Sequence, residues 1–161
     1  MAEVFFYHLE GNVAEDVLPD LLQRGLARGL KLAVEVPDKE RLSAFSQKLW
    51  ALEDVAFLAH GIAGEPYPER QKIWLATEDD NPNSATFRFY FGGAWPTGDA
   101  SYERVSLMFD GGNEIELQTA RQLWRDFKAQ GLVIKYWKKD EGGRWTDMAL
   151  PRETAPAGSE N

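Results

Sequence analysis

Two kinds of periodicity alternate within the first 36 residues, and that alternation restricts the fold more than any other feature of the chain. "VFFYHL" (residues 4–9) is an aromatic and β-branched run closed by Gly11, the pattern of a buried strand. From Glu15 the spacing changes. Val17, Leu18, Leu21, Leu22 and Leu26 recur at helical intervals, with Pro19 expected in the first turn, where a missing N–H is tolerated, and Gly25 and Gly29 weakening the end. "LKLAVEV" (residues 30–36) reads as a second strand, stopped by Pro37, and Asp38 can cap a helix carrying the stripe Leu42, Phe45, Leu49, Trp50.

A Gly- and Pro-containing loop is expected over residues 54–71, followed by the strand-like runs "KIWLA" and "TFRFYFGGAWP" on either side of the turn-rich "TEDDNPNS". "RVSLMFDGG" (residues 104–112) looks like the last main strand and leads into a helix from Asn113 to Gln130, with Gly131 as its C-terminal cap. "LVIKYW" (residues 132–137) is expected as an edge strand or tight return with its lysines facing water. Strands and helices alternating in short steps predict a three-layer α/β fold with a mainly parallel central sheet. One domain is expected over residues 1–150, with residues 151–161 as a flexible tail that has nothing to bury.

Composition narrows the functional classes. The chain has no cysteine, which removes disulfides, thiolate nucleophiles and thiolate metal sites and suits a reducing cytoplasm. "MAEVFFYHLEG" carries acid ahead of its apolar run, unlike a secretory leader, and no run approaches a membrane span; a soluble cytoplasmic protein is expected. A net charge of −8 argues against direct nucleic-acid binding, which relies on concentrated cations to displace counterions. The charge is uneven, however: residues 120–139 hold six cations against one anion, Asp126.

Signals for chemistry are weak. Neither G-x-G-x-x-G nor G-x-x-x-x-G-K-[ST] nor G-x-S-x-G occurs, so no nucleotide cradle or nucleophile elbow is predicted, and no cofactor is called for. His8, in the first strand, and His60, in a loop, read as satisfied structural residues, and two histidines so far apart make a poor metal signature. Glu78, Asp79 and Asp80 could gather around a divalent cation, but the neighbouring Asn-Pro-Asn points to a solvated turn. The alternative of a small α/β enzyme would place its site at the C-terminal edge of the sheet, around His8, Asp110 or the loop at residues 78–80.

"ARQLWRDFKAQG" (residues 120–131) carries the most information. At about 100° per residue, Ala120, Leu123 and Phe127 fall within an arc of about 60°, the face expected to pack on the sheet. Trp124 and Leu117 border it, and Arg121, Arg125 and Lys128 fill the next arc. Like charges at this spacing repel by a few tenths of a kcal/mol per pair. Such a rim suits an acidic peptide with an apolar or aromatic anchor; the alternative is a solvent-facing edge of snorkelling side chains.

With these residues in view, the chain resembles the chi subunit family of bacterial DNA polymerase III over about residues 3–137. The stretches that carry the likeness are "VFFYHLEG", "KLWAL" (residues 48–52), "FLAHGIAGE" (residues 57–65) and the last helix, in the family's order and spacing. The resemblance implies a Rossmann-like fold without nucleotide binding and a non-catalytic adaptor. Such an adaptor joins the clamp loader, through the psi subunit, to the acidic C-terminal tail of single-stranded DNA-binding protein, which ends in Pro-Phe. On it, Arg121 matches the main tail-binding arginine, Trp124 an aromatic lining the pocket, and Arg125 and Lys128 neighbouring basic positions. Phe57, with Trp50 as a companion, would face psi or another clamp-loader component; for Trp50 core packing is the competing expectation. Where psi is absent, a repair helicase is an alternative partner. Two departures stand out: Ala59 where the family usually has proline before His60, and Trp124 where tyrosine is usual.

Overall fold

The computed structural model describes residues 3–52, 58–97, 102–139 and 144–148. In chain order the elements are β1 (Glu3–Leu9), α1 (Ala14–Ala27), β2 (Leu32–Glu35), α2 (Lys39–Trp50), β3 (Gly61–Ile62), β4 (Ile73–Ala76), β5 (Phe87–Tyr90), β6 (Arg104–Asp110), α3 (Glu114–Ala129), β7 (Val133–Lys139) and β8 (Trp145–Asp147). The strands form one sheet in the order β3-β4-β2-β5-β6-β1-β7-β8, parallel except where β7 meets β8.

Alternation along β1 shows how the layers arise. Phe5, Tyr7 and Leu9 point to one face and Val4 and Phe6 to the other, so the strand is apolar on both sides and sits inside the sheet. The first face is covered by α1 and α2 through Leu18, Leu22, Leu42, Phe45 and Leu49, all buried. Each such side chain contributes roughly 1.5–3 kcal/mol by leaving water. Helix α3 covers the opposite face with Ala120 and Phe127, completing three layers. Asp38 caps α2 as expected, its carboxylate accepting from the Arg41 amide at 2.8 Å.

Several expectations need correction. Pro19 lies one turn further into α1 than the first turn, where it withholds the hydrogen bond the Glu15 carbonyl would otherwise accept. The segment expected as a continuous loop contains the short strand β3, which pairs in parallel with β4 at the sheet margin. β6 is not the last main strand, and β7 is not the edge: it lies between β1 and β8, and the edge is formed by β8, three residues too short to carry a periodicity. Trp50 does not extend the core stripe; it is 48% exposed.

Helix α3 covers β6, β1 and β7 but not the half of the same face formed by β4, β2 and β5. The connection at residues 77–86 carries the chain past β2 from β4 to β5, and its Glu78 and Asp80 carbonyls accept hydrogen bonds from Arg88, which is 0% exposed. Arg88 also donates to Glu35 Oε1 at 2.7 Å and to the Tyr102 hydroxyl at 3.1 Å. The loop that looked able to hold a divalent cation is thus folded over a guanidinium. Among the described residues no three His, Asp or Glu side chains gather as a metal site, and no helix is long and apolar enough to cross a membrane.

Candidate functional site

Both ends of α3 are closed by local chemistry, which fixes the rotation of its faces. Asn113 accepts from the amides of Ile115 and Glu116 at 3.0 and 3.1 Å, and Glu114 and Glu116 add negative charge to the first turn. At the other end Gly131 adopts φ +77°, and the amides of Gly131 and Leu132 return to the carbonyls of Lys128 and Phe127. This closure needs a left-handed residue, which glycine supplies without a Cβ penalty.

With Phe127 and Ala120 turned inward, Trp124 is left half-buried at the helix margin and Arg121, Arg125 and Lys128 are exposed. The cations are not consumed by internal carboxylates. Arg125 donates to Gln122 Oε1 at 2.8 Å, and Lys128 Nζ rides 4.6 Å above the Trp124 ring. Arg121 makes no ion pair among the described residues.

Beside this rim opens a cavity of about 400 Å³, lined by His8, Arg121, Trp124, Arg125, Tyr136, Lys138 and Met148. Three of the expected rim residues line it: Arg121, Trp124 and Arg125. Two do not. Leu117 packs into the core beneath α3, and Lys128 stands over the outer side of the indole. The sheet supplies the rest. The register sets His8 on β1 opposite Lys138 on β7, which also places Tyr136 and Lys138 on the α3 side of the sheet. The sequence favours a satisfied structural role for His8; the structure holds it so and also sets it in the cavity wall.

The imidazole has both nitrogens engaged. Nε2 lies 3.1 Å from Glu10 Oε2, so it donates, leaving Nδ1 to accept from the Tyr136 hydroxyl at 2.8 Å. Burial pushes the His8 pKa below its usual value, the Glu10 hydrogen bond opposes this, and the charges of Lys138 and Arg121 add to the lowering. The ring is therefore neutral at physiological pH. Gly111 makes the arrangement sterically feasible: a Cβ there would lie 2.0 Å from His8 Nε2. The enzymatic alternative gains His8 from this arrangement but finds no serine or threonine among the cavity-lining residues. Asp110, another of its candidates, accepts from the Gly112 amide at the turn into α3.

The family described as "DNA polymerase III chi subunit, HolC" matches residues 1–135. The chain belongs to that family. A relative from Rickettsia prowazekii (strain Madrid E), "Probable DNA polymerase III subunit chi", is 23% identical over 86 residues, which is 53% of this chain. The matched stretch spans about half the length of that relative, 52%.

In this chi-family chain the other predicted surface lies at the opposite margin of the sheet and on its other face. Trp50 closes α2, and its indole packs 4.4 Å from the His60 ring. His60 is itself buried and satisfied, its Nδ1 donating to the Leu58 carbonyl at 2.9 Å and its Nε2 accepting from the Ser46 hydroxyl at 2.7 Å. Burial holds its pKa below the usual histidine value, with the Leu58 hydrogen bond opposing. Trp50 is thus an exposed aromatic on a rigid base. Phe57, its expected companion, lies outside the described residues, as does the tail at residues 151–161.

Proposed function

We propose that this chain is a non-catalytic replication adaptor that captures the acidic, aromatic-ended C-terminal tail of single-stranded DNA-binding protein at the α3 rim and links it to the clamp loader. The observation that carries the reading is the cavity in which Arg121, Arg125 and Lys138 surround the half-buried Trp124 without an internal carboxylate on either arginine. Guanidinium forks suit carboxylates, including a chain-terminal one, and the indole and Met148 offer apolar surface for a terminal aromatic ring. Membership of the chi family supports placing this activity in the polymerase assembly. The exposed Trp50 supports a second contact, with psi or another clamp-loader component, and its place across the sheet leaves both surfaces open at once. A repair helicase is the alternative partner at that second surface.

The test is calorimetric titration of an Asp-rich peptide ending in Pro-Phe with a free carboxylate. Arg121→Ala should weaken binding by about tenfold or more, since a hydrogen bond between charged groups is worth about 1.5–3 kcal/mol. Removing the peptide's last phenylalanine should weaken it comparably. Added salt should weaken the remainder, because exposed charges are screened over about 8–10 Å. Equal affinity of wild type and Arg121→Ala removes the reading.

A further inference from the structure

A second basic cleft, of about 230 Å³, lies on the other face of the sheet, between the last turns of α1 and the beginnings of β5 and β6. Arg24 and Arg28 reach it from the helix and Arg104 from the sheet, while Phe87, Tyr7 and Ser106 form part of its floor. Three guanidiniums around so small a space are unexpected in a chain of net charge −8.

Their present partners leave donors over. The Arg104 guanidinium lies 3.9 Å from the Phe5 ring centre and 4.4 Å from that of Phe87, and its Nε donates to Glu3 Oε1 at 2.9 Å. Its terminal N–H groups make no further hydrogen bond among the described residues. Arg28 stands 5.4 Å over the same Phe87 ring and has no carboxylate partner among the described residues. Arg24 pairs with Asp20 at 3.1 Å, but both side chains are mostly exposed, so this pair is weak and readily exchanged. Two cations sharing one aromatic ring repel each other unless an outside anion joins them. Burial pushes the Tyr7 pKa up to about 12, against the charges of Arg104 and Arg24, so its hydroxyl keeps its proton at neutral pH.

The geometry points to a binding site for the phosphate group of a small organic phosphate, of mononucleotide size or less. Phosphate monoesters bring nearly two negative charges and three acceptor oxygens, which several forks can share, whereas one carboxylate satisfies a single fork. The volume is below the roughly 300–1,000 Å³ of sites for larger ligands. A long polyanion would meet the repulsion of an acidic chain; a compact dianion meets mainly the local arginines.

The experiment titrates inorganic phosphate and, separately, thymidine monophosphate into isotope-labelled full-length chain, following backbone amide shifts. Saturable shifts are expected at Arg28, Phe87 and Arg104, with the mononucleotide binding at least as tightly as phosphate. Arg28→Glu, at an exposed helix-end position, should weaken both by about tenfold or more, with circular dichroism verifying the fold. Arg121→Glu, in the α3 cavity, should leave them unchanged. The inference is overturned if no saturable shift occurs at these residues, or if Arg121→Glu abolishes binding while Arg28→Glu does not. It is also overturned if an unphosphorylated single-stranded oligonucleotide binds through Arg28 more tightly than the mononucleotide, since the site would then read nucleic acid.

Discussion

Arg88 and Arg121 project on the same side of the sheet, yet they occupy opposite physical states. Arg88 stands where, among the described residues, no helix covers this face of β4, β2 and β5; loops close over it, four hydrogen bonds use its terminal nitrogens, and only Nε is left without a partner. Arg121 stands where α3 does cover the sheet, and apolar packing by Ala120 and Phe127 has already filled the interior, so its guanidinium remains outside. An arginine whose partners are all internal holds a fold together. One whose partners are missing is ready for a ligand. The chain uses the first to replace a missing layer and the second to build a rim.

The largest expected effect breaks the sealed half. Arg88→Ala leaves Glu35 buried without its partner and strands the carbonyls of Glu78 and Asp80, and should cost about 3–5 kcal/mol. Urea unfolding followed by tryptophan fluorescence measures it. Burial already pushes the Glu35 carboxyl above its usual range, with the Arg88 hydrogen bond pulling it back, so the isolated carboxyl should take up a proton in the variant. Replacing the pair together, Arg88→Met with Glu35→Leu, should recover much of the loss, because the penalty lies in the unpaired group rather than in missing attraction. A double variant as unstable as Arg88→Ala would instead make the loop carbonyls the dominant partners. Arg121→Ala, by contrast, should leave stability within about 0.5 kcal/mol.

Gly111 supplies a smaller effect on the open half. A methyl group there would overlap His8 Nε2, and the ring, packed against Phe109 and Tyr136, must shift. Gly111→Ala should cost about 1–3 kcal/mol, as overpacking usually does. Gly112→Ala, whose nearest neighbour would be 3.3 Å away at the exposed Asp110 carboxylate, should cost less. If the two variants unfold at the same urea concentration, His8 is not fixed by this contact.

The elements that make up the α3 rim were legible because their information is local. Helical spacing from Ala120 to Phe127 and Gly131 as terminator lie within one segment, and they give the face that Arg121 and Trp124 border; that Asn113 caps the helix rather than opening it comes from the structure. The rest of the cavity depends on pairing between strands distant in the chain. His8 meets Tyr136 only because β7 pairs in parallel with β1, a register no single stretch encodes. β7 looks like an edge in sequence because three of its seven residues are lysines, and the three-residue β8 that covers it gives no pattern of its own. Arg88 was illegible for a related reason: in "TFRFYF" it reads as the solvent side of a strand, and Glu35, which seals it in, lies 53 positions away.

Acid should act more gently, and on both faces of the sheet. His8 and His60 have pKa values lowered from 6.5, chiefly by burial. The unfolded chain therefore binds protons that the folded chain resists, so their contribution to stability is complete above about pH 6.5 and is lost as the pH falls below it. Unfolding free energy measured between pH 7.5 and 5.5 should decline, and a His8→Asn, His60→Asn double variant should show a flatter slope whatever its absolute stability. Tail binding should move the other way in wild type. A bound anion favours protonated His8, so affinity should rise as stability falls. Affinity that declines with stability would place the ligand away from the imidazole.

The smallest expected effect separates two glutamates as cleanly as the arginines. Glu10 is an anion that engages two of the cavity's lining residues: it accepts from His8 and lies 3.7 Å from Lys138, but it is mostly exposed. An incoming tail carboxylate must compete with it for these groups. Glu10→Gln keeps an acceptor for His8 while removing the competing charge, and should tighten binding of the acidic peptide by up to about fivefold, the upper end expected from exposed ion pairs worth about 0.2–1 kcal/mol. Glu35→Gln, the same chemical change in the sealed half, should instead destabilise the fold and leave peptide affinity alone. If Glu10→Gln weakens the peptide, Glu10 positions the imidazole for the ligand rather than competing with it, and the open half of the face is more preorganised than its exposed charges imply.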